Sequence, residues 1–220
     1  MSSELGVRDS LFLLAHDTDH GFRPRLHPPA LDAGLAGALL IDLLIAERVD
    51  VDGGRVALTN HYDHTLLGDP IADQALTLIR TARRTLRPVR DLLGALAPGL
   101  GDRVCGGLIA AGHLTPVPRV LRHDHYRPTE QAVITRALGG PRGALQGIGV
   151  PDAAADALCG LIQALHLHDT LYLGPAEAID PALSLATVRL RNATWPNTTL
   201  PTVIAAVDAV IGDITVAVYR

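Results

Sequence analysis

Residues Leu31 to Thr59, LDAGLAGALLIDLLIAERVDVDGGRVALT, constrain the fold more than any other stretch of the chain. Ala33, Leu35, Ala36, Leu39, Leu40, Leu43, Leu44 and Ala46 make its first part apolar nearly all round, leaving Asp32, Asp42 and Glu47 as the charges. At 3.6 residues per turn Asp42 and Glu47 share one narrow edge. The spacing therefore predicts a helix over Leu31–Glu47, wetted along that edge and enclosed elsewhere by other helices. Gly34 and Gly37 lower its intrinsic propensity by about 1 kcal/mol each relative to Ala, and their missing side chains allow a neighbouring element to come close. After Arg48 the period changes to two: Val49 and Val51 alternate with Asp50 and Asp52, Gly53-Gly54 turns the chain, and Val56 and Leu58 alternate back. This is a tight hairpin, because a two-residue turn between twisted strands asks for positive φ at both central positions.

The rest of the composition points the same way. Of the 220 residues 48% are apolar and only 3% aromatic, so the core is built of Leu, Ala, Val and Ile, a mixture that favours helix over sandwich. That length suits one domain, or a closely packed pair, with a sizeable core, and a single domain over residues 1–220 is expected. All 19 basic residues are arginine, as a GC-rich coding sequence and hence a high-GC bacterium would give. The net charge of −4 argues against a general nucleic-acid binder. Cys105 and Cys159 each sit in an apolar helical run, as small buried thiols do, and suggest no disulfide framework. MSSELGVRDS lacks the features of a signal peptide. The apolar run near the C-terminus, Pro201–Val218, is interrupted by Asp208 and Asp213 and reads as a core helix, not a membrane span. The expectation is a soluble, cytoplasmic protein.

Read in order, Leu5–Ala15 forms a first helix, and Phe22–Pro29 an irregular connection. Asp69-Pro70 is a helix start, a capping carboxylate followed by proline at the first helical position. The helix Ile71–Leu86 carries Ala72, Ala75, Leu76, Ile79 and Ala82 on one side and Arg80, Arg83, Arg84 and Arg87 on the other, with Arg90 just beyond. Asp102–Gly112 is a short helix and His113–Pro128 a second hairpin, with Pro116 and Pro118 confining its first strand to an edge. Thr129–Leu138 is helical, GGPRGALQGIGVPD reads as a loop, Asp152 caps a helix to about Leu165, and Pro181–Ala193 and Pro201–Val218 are the last helices. Three stretches, LAGALLIDLLIAERVDV, VCGGLIAAGHLTPV and LCGLIQALHLHDTLYL, share a pattern of apolar helix leading into an extended piece. The fold class is thus mainly α, a helical bundle around a central buried apolar helix with two peripheral β-hairpins.

Several constellations could carry chemistry. Arg80, Arg83, Arg84, Arg87 and Arg90, with Arg103 further on, could face anionic phospholipid headgroups; the same stripe also suits the solvated side of an amphipathic helix. His61-Tyr62-Asp63-His64, His123-Asp124-His125 and His166-Leu167-His168-Asp169 bring imidazoles together in pairs, but no HExxH or C-x-x-C accompanies them, so no metal site is expected. Asp17-Thr18-Asp19-His20-Gly21 opens like a calcium loop yet places Pro28 where the bidentate Glu belongs. There is no G-x-S-x-G, no phosphate-binding glycine loop ending in Lys and no dinucleotide fingerprint, so no catalytic residue and no cofactor are expected. A winged helix would use Leu31–Glu47 for recognition, and that segment is too apolar to face DNA.

LDAGLAGALLIDLLIAERVDVDGGRVAL resembles the matching helix and hairpin of the Golgi phosphoprotein 3 family, including its bacterial members. SLFLLAHDTDHGF is similar to that family's apolar segment and acidic, Gly-ended turn. GDPIADQALTLI resembles its G-D-x-x-x-D-x-A-L helix start, and DRVCGGLIAAGHLTPV its helix before the second hairpin. The likeness runs from about Leu11 to Thr170. It implies a peripheral membrane adaptor that recognises phosphatidylinositol 4-phosphate and binds protein tails, on the inner membrane face in a bacterium. The family's headgroup pocket uses a Trp before the central helix, an Arg in its first turns and two Arg in the helix before the second hairpin. Those positions fall here at His27, Ala36, Pro98 and Gly101, with Arg103 nearby, and none matches. The resemblance also implies oligomerisation through the second hairpin, where Val117, Val120, Leu121 and Tyr126 are the candidates. The other function the residues allow is a small-molecule-binding protein or enzyme that reuses the cavity with histidine acid–base groups.

Overall fold

The computed structural model describes residues 5–60, 63–81, 87–117, 125–148, 152–171, 173, 176–192 and 199–218. The protein is mainly α. Helix α1 (Val7–Leu14) runs into a short antiparallel pair, β1 (His16–Asp17) and β2 (Arg23–Pro24). The central helix α2 (Pro28–Ile45) leads to β3 (Val49–Asp52) and β4 (Arg55–Leu58). Then come α3 (Pro70–Thr81), β5 (Arg87–Pro88), α4 (Val89–Leu96) and α5 (Leu100–Ala110). A second hairpin, β6 (Leu114–Val117) and β7 (His125–Pro128), precedes α6 (Gln131–Gln146), α7 (Ala153–Ala164), α8 (Ala176–Asn192) and α9 (Leu200–Val218).

Helix α2 is the hub, packed by α1, α4, α5, α7 and α9. Leu35, Ala36, Leu40, Ile41 and Leu44 are fully buried, as the all-round apolar pattern requires. A Cβ on Gly34 would meet Leu165 at 2.7 Å, and one on Gly37 would collide with Val207 of α9. Both glycines therefore permit close helix approach. The helix starts at Pro28 rather than Leu31, because proline is tolerated in a first turn whose N–H groups have no intrahelical acceptor. It also ends earlier, at Ile45, where Glu47 (φ 54°) turns the chain into β3. Asp42 does not share a wetted edge with Glu47; its carboxylate turns towards the N-terminus of α1.

The first hairpin pairs Val51 with Val56 and Asp52 with Arg55 across Gly53-Gly54, both at positive φ (54° and 74°). Val49 and Val51 face the core while Asp50 and Asp52 are exposed. Nothing in the local pattern announces β5, which adds a third antiparallel strand by pairing Arg87 with Val56. In the second hairpin Thr115 opposes Arg127 and Val117 opposes His125, and β6 pairs with β7 alone among the described strands.

The stretch from Gly139 to Asp152 departs most from expectation. Helix α6 continues through Pro141 to Gln146 and stops where Gly147 adopts φ 67°, with the Ile148 N–H bonded to the Gly143 carbonyl at 2.9 Å. Packing overrides propensity here: Pro141 is buried, and Gly140 lets Ala155 of α7 come to 3.4 Å from where its Cβ would be. Helix α8 likewise begins at Ala176 and carries Pro181 inside it.

By length and composition α2 and α9 are each apolar enough to cross a membrane, yet 72% of α2 lies inside the protein against 28% of Leu200–Ala217. Where Asp208 and Asp213 predicted a core helix, α9 buries one narrow face and leaves most of its length exposed. Leu200, Val203, Val207 and Ile211 are buried, while Thr202, Ala205, Asp208 and Asp213 are exposed.

Candidate functional site

The four positions to which the resemblance assigns a headgroup lie around the start of α2 and the corner between α4 and α5. His27 is exposed just before α2, Ala36 is fully buried within it, Pro98 is exposed, and Gly101 lies in the first turn of α5. Gly99 opens α5 at φ 65°. Its N–H donates to Asp32 Oδ2 at 3.1 Å, and the Gly101 N–H donates to Asp32 Oδ1 at 2.7 Å. A carboxylate carried by the central helix thus caps a helix 69 residues further on. Free N–H groups and a partial positive charge make a helix N-terminus receptive to anions. Here the Gly99 and Gly101 donors are already engaged by a resident anion. A Cβ on Gly101 would lie 3.0 Å from Asp32 Oδ1, so the close cap also leaves no room for a side chain.

Arg103 closes the same corner from the other side. Its Nη2 donates to the Leu96 carbonyl at 3.0 Å, its Nη1 to Gln74 Oε1 at 2.6 Å and its Nε to the Gly99 carbonyl at 3.4 Å. The guanidinium satisfies carbonyls at the C-terminal end of α4 and holds the 63° bend between α4 and α5. It borders a groove of about 480 Å³ between α3 and the α4–α5 corner, floored by Leu39, Ile71, Ala75 and Leu96.

The other candidate arginines are spread over separate elements. Arg80 donates through Nη2 to the Asp63 carbonyl at 3.1 Å, and its buried Nε has no protein partner. Arg90 forms an ion pair with Asp213 of α9, both side chains more than half exposed. Arg87 is placed by the pairing of β5 with β4. Arg83 and Arg84 lie outside the described residues. The described guanidiniums Arg80, Arg90 and Arg103 bond three different parts of the molecule and share no common acceptor.

Sequence reasoning missed a polar junction where α1, α2 and α3 meet. Asp42 accepts the Val7 N–H at 2.8 Å and the Arg8 N–H at 3.0 Å, capping α1. Arg8, 8% exposed, pairs with Asp9 at 2.9 Å and with Asp69 at 2.7 Å. Asp69 also caps α3, accepting the Ile71 N–H at 2.9 Å and the Ala72 N–H at 3.4 Å, as its Asp-Pro signature implies. Burial outweighs these hydrogen bonds and pushes Asp42 up to about 6. The signal available in sequence was an acid embedded in a helix otherwise apolar: such a group needs donors from elsewhere in the fold.

Among the described residues the histidines do not assemble a centre. His64 is exposed, and the rings of His166 and His168 stand 6.2 Å apart. His61 and His123 lie outside the described residues, and His125 is placed by its strand pairing with Val117. Among the described residues no group of three His, Cys, Asp or Glu could hold a metal. His16, which the motifs did not single out, stacks on Phe22 at 4.6 Å and lies 4.3 Å from Phe12, with burial lowering its basicity. Asp17 accepts the Asp19 and His20 N–H groups and pairs with Arg25, so the acidic turn is bonded to itself. Cys105 and Cys159 are free and buried; burial raises them to about 11 and about 12, which leaves both thiols protonated at neutral pH. Of the self-association candidates, Val117 and Tyr126 are half-buried, while Val120 and Leu121 lie outside the described residues.

Comparison with known proteins agrees with this architecture. No curated protein matches the chain. The family model described as Golgi phosphoprotein 3 (GPP34) matches residues 7–208, a span that runs from the first turn of α1 into α9 and includes both hairpins. The chain belongs to the Golgi phosphoprotein 3 family.

Proposed function

We propose that the protein is a peripheral module of the cytoplasmic membrane face, drawn weakly to anionic phospholipid by its arginine-rich segment and blind to the stereochemistry of a phosphorylated inositol. Family membership supports the module. The cap formed by Asp32 carries the second half of the reading. The α5 terminus, where a headgroup phosphate would look for backbone donors, is closed by a carboxylate at 2.7 Å. An incoming phosphate would have to displace one negative charge from another's donors. The segment holding Arg80, Arg83, Arg84, Arg87 and Arg90 contains no acid, and although Arg90 is paired with Asp213 of α9, the others supply a local positive field despite the net charge of −4. A field of that kind attracts without discriminating, because specific recognition needs several donors converging on one phosphate.

Co-sedimentation with vesicles tests this. Phosphatidylserine and phosphatidylinositol 4-phosphate vesicles of equal surface charge should bind about equally at low salt, and both should release as the screening length shrinks towards about 3 Å near 1 M salt. Much tighter binding to the phosphoinositide would overturn the stereochemical half of the reading. Absence of binding to either at low salt would overturn the membrane half.

A further inference from the structure

The geometry points to Leu66 and Leu67 as an apolar tip that enters the interfacial layer of an anionic phospholipid bilayer, an inference that rests on the membrane reading above and gives it an anchoring point. Leu66 is 74% exposed, more than any other large apolar residue among those described, and Leu67 beside it is 40% exposed.

Their exposure is enforced by the polar contacts around them. Before the pair, the Thr65 N–H donates to Asp63 Oδ1 at 2.9 Å, and Arg48 Nη2 donates to the Thr65 carbonyl at 2.8 Å. Arg80 Nη2 holds the Asp63 carbonyl at 3.1 Å. After the pair, the Leu67 N–H donates to Asp73 Oδ1 at 2.8 Å, and Gly68 at φ 77° turns the chain into α3. The backbone is thus tied on both sides of two leucines that a slack loop would fold against the protein.

Charge selects the occupant. Two of the carboxylates around the loop are ion-paired, Asp63 with Arg48 and Asp69 with Arg8, while Asp73 keeps its charge and accepts the Leu67 amide. Arg80, which touches the loop, opens the segment of five arginines free of acids that runs to Arg90. Two leucines at a turn are far smaller than the roughly 800 Å² per partner of a stable protein interface. They suffice to add an apolar increment to an electrostatic attraction at a bilayer surface.

The two contributions respond differently to salt, so one titration separates them. In co-sedimentation with phosphatidylserine–phosphatidylcholine vesicles, the Leu66→Ser/Leu67→Ser variant should bind roughly tenfold more weakly, from the lost transfer of two side chains. Its dependence on salt should equal that of the parent protein. Circular dichroism and melting temperature should be unchanged, since neither side chain is in the core. In a second measurement, the Leu66→Trp variant should gain blue-shifted emission that brominated acyl chains quench, with the parent protein as control for Trp195. If the parent binds vesicles, and the double variant binds equally while the added emission of Leu66→Trp stays unshifted, the leucine tip is wrong and the arginine reading stands. If the parent binds no vesicle at low salt, both fall. A lower sedimentation mass for the double variant without vesicles would overturn the inference in favour of contact with a second copy.

Discussion

The backbone amide of Gly101 donates to the carboxylate of Asp32 at 2.7 Å, so an acid in the second turn of the central helix closes the start of α5. Gly99 donates to the other oxygen of the same carboxylate. One charged side chain thereby fixes the corner at which the family resemblance would place a ligand. Arg103 finishes that corner by bonding the Leu96 carbonyl at the end of α4 and the Gly99 carbonyl before α5.

Asp32→Ala should destabilise the fold by about 0.5–2 kcal/mol, the usual cost of losing an N-cap. Asp32→Asn should recover part of this, because its amide oxygen can accept one of the two N–H bonds. Chemical denaturation of the three proteins at neutral pH measures both differences. An Asp32→Ala protein as stable as the parent would mean that the cap is dispensable.

Asp42 gives a pH dependence of unusual sign. Its folded-state value near 6 lies above the ordinary 3.8, so the native state takes up a proton on this group as pH falls between those values. Stability held back at neutral pH by the buried charge should return across that window, on the order of 3 kcal/mol if the whole shift is expressed. Asp42→Asn is neutral throughout and keeps one acceptor for α1. The stability of the parent relative to Asp42→Asn should therefore rise from pH 7 to pH 4. Urea unfolding at unit pH steps checks this, and a constant difference would contradict it.

Two glycine substitutions should have opposite signs. In α4 a Cβ on Gly94 meets nothing within 4 Å, so Gly94→Ala should stabilise by about 0.5–1 kcal/mol. In α2 a Cβ on Gly37 would collide with Val207, so Gly37→Ala should cost about 1–3 kcal/mol despite the better helix propensity of alanine. Leu40→Ala, at a fully buried site more than a turn from either end of the helix, should cost more, about 2–5 kcal/mol. Thermal melts of the three variants give the ranking.

The second hairpin is proposed to mediate self-association. Strand β6 pairs on one side with β7, and the segment carries Val117, Val120, Leu121 and Tyr126. A free strand edge beside apolar side chains recruits a further strand. A variant lacking residues 117–126 should elute later and show a lower mass by light scattering than the parent. Equal mass for the two would count against this hairpin.

The sequence by itself determined the elements whose signals are local. The apolar periodicity around Leu39–Leu44, the Gly53-Gly54 turn, the Asp69-Pro70 start and the Asp152 cap each involve residues a few positions apart, so backbone geometry alone relates them. Asp152 indeed accepts the Ala154 and Ala155 N–H groups. Tertiary structure alone decided the rest. Whether Asp32 and Asp42 meet water or a helix terminus depends on where α5 and α1 lie, and both were found bonded to backbone 34 to 69 residues away. Burial against α7 let α6 pass through Pro141, against local propensity. The arginines divide in the same way. Their spacing predicted one charged stripe on a helix Ile71–Leu86, but α3 ends at Thr81 and carries Arg80 alone, and the partners of Arg80, Arg90 and Arg103 are carbonyls and carboxylates that other elements deliver. A guanidinium's role follows from the acceptors within its reach, and in a folded chain those are set by packing rather than by neighbours in sequence.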